Sequence, residues 1–182
     1  MWFARELAHR AEVALVLDAD GLNAHAGRLG ELTARSAATV LTPHAGELGR
    51  LLQADPADVA ARRLEHARRA AAEFGVCVLL KGSTTVVAPP HNLDPVLINT
   101  TGTPWLATAG TGDVLAGLAG ALLAQGLAAP QAAIAAAYLH GLAARIAAGE
   151  NGGGGEAPIG ASDVVAAVHA AFLAVAGGGN WA

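Results

Sequence analysis

Residues 110–117 read Gly-Thr-Gly-Asp-Val-Leu-Ala-Gly and join a glycine-rich turn to an apolar segment that runs to Gln125. Two glycines before a helix let the backbone turn tightly and approach a ligand closely. The unpaired N–H groups of the first helical turn, together with the helix dipole, favour a bound anion there. Asp113 stands in the same turn. A carboxylate that faces a bound phosphate makes chemical sense as a base that takes a proton from an attacking hydroxyl. The alternative is that Asp113 only caps the helix.

Around this turn, two kinds of segment alternate along the chain. Short runs rich in β-branched or aliphatic residues predict strands at 13–17, 39–41, 76–80, 85–88 and 96–98. Longer segments rich in alanine and leucine predict helices at 57–74, 114–125, 130–148 and 162–176, the last with Ser162 as its N-cap. This alternation favours an α/β fold whose central sheet is mostly parallel and carries helices on both faces. The last three strands lie closer together in sequence, so we expect hairpin-like pairing there.

Composition limits the classes of function. The chain has 182 residues and a net charge of −4, which fits a single domain and argues against nucleic-acid binding, since that requires clustered Lys and Arg. The charge-free stretch 114–144 is interrupted by glutamine, glycine and proline at 125–130, so it predicts two buried helices instead of a membrane span. The single cysteine, Cys77, excludes an intramolecular disulfide and fits a reducing compartment. We therefore expect a cytoplasmic protein with one domain over 1–182 and a tail at 177–182.

Two further motifs each follow a predicted strand. Residues 81–85, Lys-Gly-Ser-Thr-Thr, contain the only lysine of the chain, and basic and hydroxyl groups at the carboxyl end of a strand lie where open α/β sheets bind ligands. Residues 42–48, Thr-Pro-His-Ala-Gly-Glu-Leu, present His44 just before a helix, where the ring could bind substrate or move a proton. Each motif also has a plainer interpretation, namely an ordinary corner between strands and a solvated loop histidine.

A last motif, Asp-Ala-Asp-Gly-Leu-Asn at 18–23, also follows a strand. Asp18, Asp20 and Asn23 could coordinate a cation through water or orient a substrate hydroxyl, or they could form an ordinary turn and helix cap. Because all four motifs follow a strand or open a helix, we expect them at one edge of the sheet.

The other histidines and a group of arginines suggest no site. We expect the histidines to be structural or solvated, and the arginines to form a solvated face of the helix 57–74. These residues are His9, His25, His66, His91, His140 and His169, and Arg62, Arg63, Arg68 and Arg69.

The order and spacing of five motifs resemble those of a known family. The motifs lie at 18–23, 42–47 and 80–85, with Asn-Thr-Thr-Gly at 99–102 and Ala-Thr-Ala-Gly-Thr-Gly-Asp-Val-Leu-Ala-Gly at 107–117. The family is that of the ADP/ATP-dependent NAD(P)H-hydrate dehydratases, which are carbohydrate-kinase-like domains of the ribokinase-like fold. The resemblance covers about residues 13 to 175. The form Thr-Pro-His-x-Gly-Glu points to the dehydratase branch and away from the vitamin kinases of the same fold.

The resemblance implies an enzyme of nicotinamide cofactor repair. Such an enzyme uses ADP or ATP to phosphorylate the hydroxyl of hydrated NADH or NADPH and then eliminates phosphate, which restores the double bond. It implies Mg²⁺ bound largely through phosphate and water, so that no protein ligand set is expected. The charge and the interrupted apolar stretch, as above, predict no nucleic-acid or membrane partner. Two alternatives stay open: a kinase of a small vitamin-precursor alcohol, and a nucleotide-binding protein without catalysis. Self-association and the choice between ADP and ATP stay open as well.

The resemblance also assigns roles to individual residues. Asp113 is expected to be the catalytic base, and His44 and Asp113 to contact the hydrated nicotinamide. The adenine nucleotide is expected to contact Lys81, Gly82, Ser83, Thr84, Thr85 and Gly112. The expected anion hole is formed by the N–H groups of Gly110, Thr111 and Gly112.

Two departures from the family pattern stand out. Trp105 and Ala109 occupy positions where the family often has smaller or other residues, and we expect both to add bulk near the anion site. Only about a dozen residues precede Val13, so we expect the chain to lack the N-terminal part of the family domain.

Overall fold

A computed structural model describes residues 2–90, 94–149 and 156–177. Five strands form one sheet, and they follow in chain order: β1 (Leu15–Leu17), β2 (Thr39–Leu41), β3 (Cys77–Leu80), β4 (Thr85–Ala88) and β5 (Leu97–Asn99). The helices are α1 (Trp2–Arg10), α2 (Ala19–Ala24), α3 (Ala45–Leu52), α4 (Pro56–Ala61), α5 (Arg63–Phe74), α6 (Thr111–Ala124), α7 (Ala129–Ala148) and α8 (Ala161–Ala176). Short 3₁₀ turns lie at Leu29–Ala34 and Pro104–Leu106. His91 and the predicted tail beyond Gly177 lie outside the described residues.

The sheet is mixed, and connection length explains where its direction changes. β1, β2 and β3 are parallel neighbours, as expected for strands joined by helical crossovers. β3, β4 and β5 pair antiparallel, because the short segments between them leave room only for turns. The alternation of strands and helices predicted the parallel part of the sheet, and the close spacing of the last three strands predicted the antiparallel part.

Helices cover both faces of the sheet, as predicted. Along β3, the side chains of Val78 and Leu80 enter one apolar cluster with α3 and α5, and those of Cys77 and Leu79 enter the other with α6, α7 and α8. This division follows from the alternation of side chains along a strand. Burial raises the pKa of the Cys77 thiol to about 12, so that cysteine packs as a small apolar residue.

Alanine allows α7 to lie close against the sheet and against α6. Its buried positions are almost all small and include Ala132, Ala133, Ala136 and Ala143, each with no exposed surface. The closest approach is at Gly141, where an added Cβ would lie 2.2 Å from Thr101 Oγ1. The alanine-rich composition therefore fits helices that pack at short range, and none of the helices in the described parts of the chain is long and apolar enough to cross a bilayer.

Several element boundaries differ from the predicted ones. The predicted helix 57–74 is two helices, because the backbone breaks at Arg62 with φ −120° and ψ 50°. Helix α8 has Gly160 as its N-cap instead of the predicted Ser162, and the Gly160 N–H donates to Asp163 Oδ2 at 2.8 Å. Helices α1 and α2 had no sequence prediction, since nine and six residues give too few turns for a clear apolar period.

The close approach at Gly141 predicts a sharp difference between two glycines in helix interiors. We expect Gly141→Ala to lower the free energy of unfolding by about 1 to 3 kcal/mol, since the new methyl group overlaps Thr101. Gly120→Ala in α6 is the matched control, because its Cβ meets nothing within 4 Å. It should raise stability by about 0.5 to 1 kcal/mol through helix propensity. Urea denaturation of both variants measures the effects, and similar changes in the two would contradict this packing.

Candidate active site

One large cavity lies at the carboxyl ends of β2 and β3 and at the start of α6. Its volume is about 680 Å³, and it is lined by residues from all these elements, among them His44, Lys81, Gly82, Ser83, Thr111 and Gly112. The size suits a ligand as large as a nucleotide. Hereafter we call it the site cavity.

Lys81 connects three of the sequence motifs. Its Nζ lies 2.6 Å from Asp18 Oδ1 at the end of β1 and 3.9 Å from Glu47 Oε2 in the first turn of α3. The Lys81 N–H donates to the Pro43 carbonyl at 2.8 Å, which extends the parallel pairing of β2 and β3 to the pair His44 and Lys81. The three charged side chains are only 8 to 21% exposed. The single lysine is thus a largely buried cation whose charge is more than offset by two carboxylates.

The glycine turn of α6 packs against this ion pair. A Cβ placed on Gly112 would lie 3.5 Å from Asp18 Oδ2 and 3.6 Å from Lys81 Nζ. Gly110 is the N-cap of α6 with φ +86°, a left-handed conformation that favours glycine. The structure therefore brings the motifs at 18, 42–48, 81–85 and 110–113 together at one edge of the sheet.

Asp113 lies in the first turn of α6 and is exposed to solvent. No side chain caps this helix, so the sequence alternative of a capping Asp113 does not hold. Within the described ranges, its carboxylate forms no hydrogen bond or ion pair. Asp113 follows directly on Gly112, which lines the site cavity, but is not itself a lining residue. The carboxylate is thus available to a ligand.

His44 is the N-cap of α3, and this fixes what its ring can do. The backbone N–H groups of Gly46 and Glu47 donate to His44 Nδ1 at 3.0 and 3.3 Å, and Glu47 Oε2 accepts from the His44 N–H at 2.8 Å. Because Nδ1 accepts, the neutral ring carries its proton on Nε2. The side chain is 55% exposed and lines the site cavity. His44 therefore offers a ligand an N–H donor.

The loop 81–85 contributes unevenly to the cavity. Lys81, Gly82, Ser83 and Thr85 line it, whereas Thr84 does not. The Thr84 carbonyl instead accepts a hydrogen bond from Arg63 Nη2 at 3.0 Å. The expectation that Arg63 is solvated is wrong, because the side chain is half-buried and burial lowers the pKa of its guanidinium.

The other arginines of this segment follow the prediction more closely. Arg62 and Arg69 are exposed and form surface ion pairs with Glu65 and Glu73. Arg68 is only partly buried. These arginines therefore form the predicted solvated face of the helical segment, and Arg63 is the exception because its side chain turns inward.

His140 is a cavity residue that the sequence did not suggest. It is the only histidine in α7, is 7% exposed and lines the site cavity. Burial, with a smaller contribution from the charge of Lys81, lowers the pKa of His140 to about 4, against a hydrogen bond with the backbone of Thr111 that raises it. The ring is therefore neutral near pH 7. Its Nε2 and the Thr103 Oγ1, both in the cavity wall, are buried without a hydrogen-bond partner. The sequence feature that could have indicated this residue is a single histidine within an alanine-rich helix.

Asp20 and Asn23 do not join the site. They are exposed or partly exposed, and Asn23 Nδ2 lies 3.5 Å from Asp20 Oδ1, while Asp18 pairs with Lys81. Across residues 2–90, 94–149 and 156–177, no group of three His, Cys, Asp or Glu side chains could hold a metal ion. The described residues thus give no support to a cation held by 18–23, and a divalent ion would have to enter with its own oxygen ligands, such as phosphate and water.

Of the two departures near the anion site, one lines the cavity and the other does not. Ala109 is part of the cavity wall. Trp105 packs against the apolar cluster of α6 to α8, and its Nε1–H donates to Glu156 Oε2 at 2.6 Å. Trp105 does not line the cavity, although Pro104 and Leu106 on either side of it do, so its effect on the anion site stays a prediction.

Comparison with known proteins gives relatives for both the sequence and the fold. The chain is 44% identical to the bifunctional NAD(P)H-hydrate repair enzyme of Mycobacterium leprae over 175 residues, which is 96% of this chain and 35% of that protein. It resembles the crystal structure of the ADP/ATP-dependent NAD(P)H-hydrate dehydratase of Bacillus subtilis, co-crystallised with ATP and Mg²⁺, at a TM-score of 0.78 and 28% identity, over 90% of this chain and 55% of that one. The chain thus spans between a third and about half of the length of these two proteins.

A more distant structure identifies the fold, and a family model covers nearly the whole chain. A ribokinase-like superfamily protein of Enterococcus faecalis matches with a TM-score of 0.60 at 22% identity, over 94% of this chain and 66% of that one. The sheet with helices on both faces is therefore ribokinase-like. A model described as NAD(P)H-hydrate dehydratase matches residues 1–175. With the motifs gathered at one cavity, this match shows that the chain belongs to the NAD(P)H-hydrate dehydratase family.

Proposed function

We propose that the chain supplies the adenine-nucleotide-dependent dehydration of hydrated NADH and NADPH. The observation that carries the proposal is the carboxylate of Asp113, which has no partner in the part of the chain that the structure describes, next to a nucleotide-sized cavity at the N-terminus of α6. A base at a helix N-terminus suits the transfer of a phosphoryl group to a hydroxyl, because it combines proton removal with stabilisation of the transferred charge. The M. leprae and B. subtilis relatives are named for the repair of the same hydrates.

In this mechanism, Asp113 takes the proton of the ring hydroxyl as the hydroxyl oxygen attacks the terminal phosphorus of the nucleotide. The bond from that phosphorus to the bridging oxygen breaks, and the nucleotide leaves one phosphate shorter, as ADP from ATP or AMP from ADP. The N–H groups of Gly110 and Gly112 stabilise the charge on the transferred oxygens, while the Thr111 N–H, also expected in this anion hole, donates to the Thr108 carbonyl at 3.5 Å. The resulting phosphate ester then loses phosphate, and loss of a proton from the neighbouring ring carbon restores the double bond.

His44 orients the hydrated nicotinamide. Its Nδ1 is engaged in the cap of α3, so Nε2–H is the group available to donate to a substrate oxygen. This makes His44 a binding residue, because protonating Nδ1 would break the cap that holds the ring.

The adenine nucleotide occupies the site cavity along Lys81, Gly82, Ser83 and Thr85, with its phosphates towards Gly112. Thr84 contributes through its backbone, since its carbonyl holds the loop to Arg63. Mg²⁺ would neutralise charge on the phosphates, held by their oxygens and by water. His140 Nε2 and Thr103 Oγ1 are unpartnered polar atoms available to this ligand.

The remaining expectations are proposals of the same kind. The two apolar clusters share one sheet, which supports a single domain. The buried, unpaired Cys77 fits a cytoplasmic protein. The partners proposed are the hydrated cofactor and the nucleotide.

The proposal is tested by supplying hydrated NADH with ADP and, in parallel, ATP. We expect NADH absorbance to return with stoichiometric release of phosphate. A stable phosphorylated alcohol from a vitamin precursor would indicate a kinase instead, and nucleotide binding without turnover would indicate a non-catalytic protein. Running the chain beside the same chain extended at its N-terminus shows whether further sequence is needed for turnover.

Replacing the proposed base separates chemistry from binding. Asp113→Asn should lower turnover by at least about 10² while ADP affinity changes little, because the amide keeps the shape of the side chain and cannot take the proton. Asp20→Asn, an exposed carboxylate outside the site, is the control and should leave turnover unchanged. A near-normal rate for Asp113→Asn would contradict the assignment.

Removing Lys81 tests its part in nucleotide binding. Lys81→Ala should weaken ADP binding by about tenfold, the usual size of a lost charge-assisted hydrogen bond, as measured by calorimetry. Because this change leaves Asp18 and Glu47 unbalanced, the double variant Asp18→Asn/Lys81→Met serves as the folding control, with both charges of the close pair removed. Unchanged ADP affinity in both variants would remove Lys81 from the site.

A further inference from the structure

Arg63 lies under the loop 81–85 and holds it at both ends. Its Nη2 donates to the Leu80 carbonyl at 2.9 Å and to the Thr84 carbonyl at 3.0 Å. Between these points, the guanidinium packs so closely under Gly82 that an added Cβ would lie 2.5 Å from Nη2. A single side chain therefore fixes the start, the middle and the end of the loop.

The position of Arg63 does not favour the stability of the fold. It is the first residue of α5, where a cation opposes the helix dipole. Its Nε is buried without a hydrogen-bond partner among the residues that the structure describes, although a buried donor normally finds one. Among the described residues, no carboxylate lies within 4.0 Å of it, whereas the neighbouring Arg62 and Arg69 both have one. Exceptions of this kind to the rules of stable packing concentrate at functional sites.

The break in the helical segment explains how Arg63 reaches the loop. The backbone at Arg62 leaves the helical conformation, and α5 begins again with Arg63 facing the turn between β3 and β4. Because α5 packs on both of these strands, the guanidinium arrives from the side of the loop away from α6. A continuous helix over 57–74 would turn this side chain elsewhere.

The charge of Arg63 also matters for an anionic ligand. Lys81, the basic residue that the sequence singled out, is more than offset by Asp18 and Glu47. Arg63 is the cation against the same loop that has no acidic partner within the described residues. Lys81 and Arg63 together cancel the formal charges of Asp18 and Glu47, so Arg63 offsets the excess negative charge that the two carboxylates would otherwise leave beside the loop.

We propose that Arg63 is a positioning residue, which holds the loop 81–85 in the conformation that binds the phosphates of the adenine nucleotide. The proposal rests on the proposed function for the identity of the ligand. Arg63 acts through the loop, since Gly82, Ser83 and Thr85 line the site cavity and Arg63 does not.

The test compares Arg63→Met and Arg63→Lys with Arg69→Met, an exposed arginine of the same helix. Calorimetry with ADP should give binding weaker by about 10- to 100-fold for Arg63→Met, since a small displacement of positioning groups has effects of that size. Arg63→Lys should fall between this variant and the unchanged chain, because an ammonium keeps the charge and cannot reproduce the planar fork. Arg69→Met should bind ADP as the unchanged chain does.

Kinetics then separates positioning from general damage. In Arg63→Met, KM for the nucleotide should rise while KM for the hydrated cofactor stays constant, and thermal melting checks that each variant is folded. Equal rises in both KM values, or ADP affinity unchanged in a folded Arg63→Met, would overturn the inference. If Arg63→Met does not fold, the same comparison is made with Arg63→Lys. An unchanged chain that binds no ADP would instead contradict the proposed function, and with it the inference.

Discussion

The ion pair between Lys81 and Asp18 is the contact on which the arrangement of the site depends. It joins the ends of β1 and β3 across β2, between residues 63 positions apart in the chain. Glu47 approaches the same ammonium from α3, and Gly112 packs against the pair from α6. Removing one partner of a largely buried pair leaves an unbalanced charge, which is costly. The pair therefore stabilises one relative position of these strands and helices. The pair therefore sets the distance from the glycine turn of α6 to the loop 81–85.

This arrangement leaves few side chains for chemistry, and the backbone supplies much of the rest. Lys81 is occupied by carboxylates, and His44 Nδ1 by the cap of α3. Besides Lys81, a ligand can use the His44 Nε2–H, the N–H groups of Gly110 and Gly112, and the carboxylate of Asp113, which has no partner among the described residues. Those are the groups that phosphoryl transfer to a hydroxyl requires, namely a base, a donor that orients the acceptor and an anion-stabilising turn.

Unsatisfied buried polar atoms also gather at this cavity. Of the four found among the described residues, Thr103 Oγ1 and His140 Nε2 lie in its wall, and Arg63 Nε lies behind its loop. Folded proteins pair nearly all such atoms, so their concentration at one place is consistent with a site built for a polar ligand. Several of the residues that α6 and α7 present to the cavity are small, namely Gly112, Ala137 and Gly141. Small residues thus have two effects at the site: they let the helices pack closely, and they leave the cavity unfilled.

The sequence by itself determined the local features: the buried strands, the hairpins from β3 to β5, the glycine turn of α6 and the order of motifs at one edge of the sheet. These depend on residues close together in the chain, whose period and turn chemistry can be read directly. Only the tertiary structure decided which charges are balanced. It paired Lys81 with Asp18, broke the helix at Arg62 so that Arg63 turned inward, buried His140 in the cavity wall and joined Trp105 to Glu156 by a hydrogen bond. Burial and ion pairing depend on partners from distant segments, and local sequence patterns carry no information about those partners.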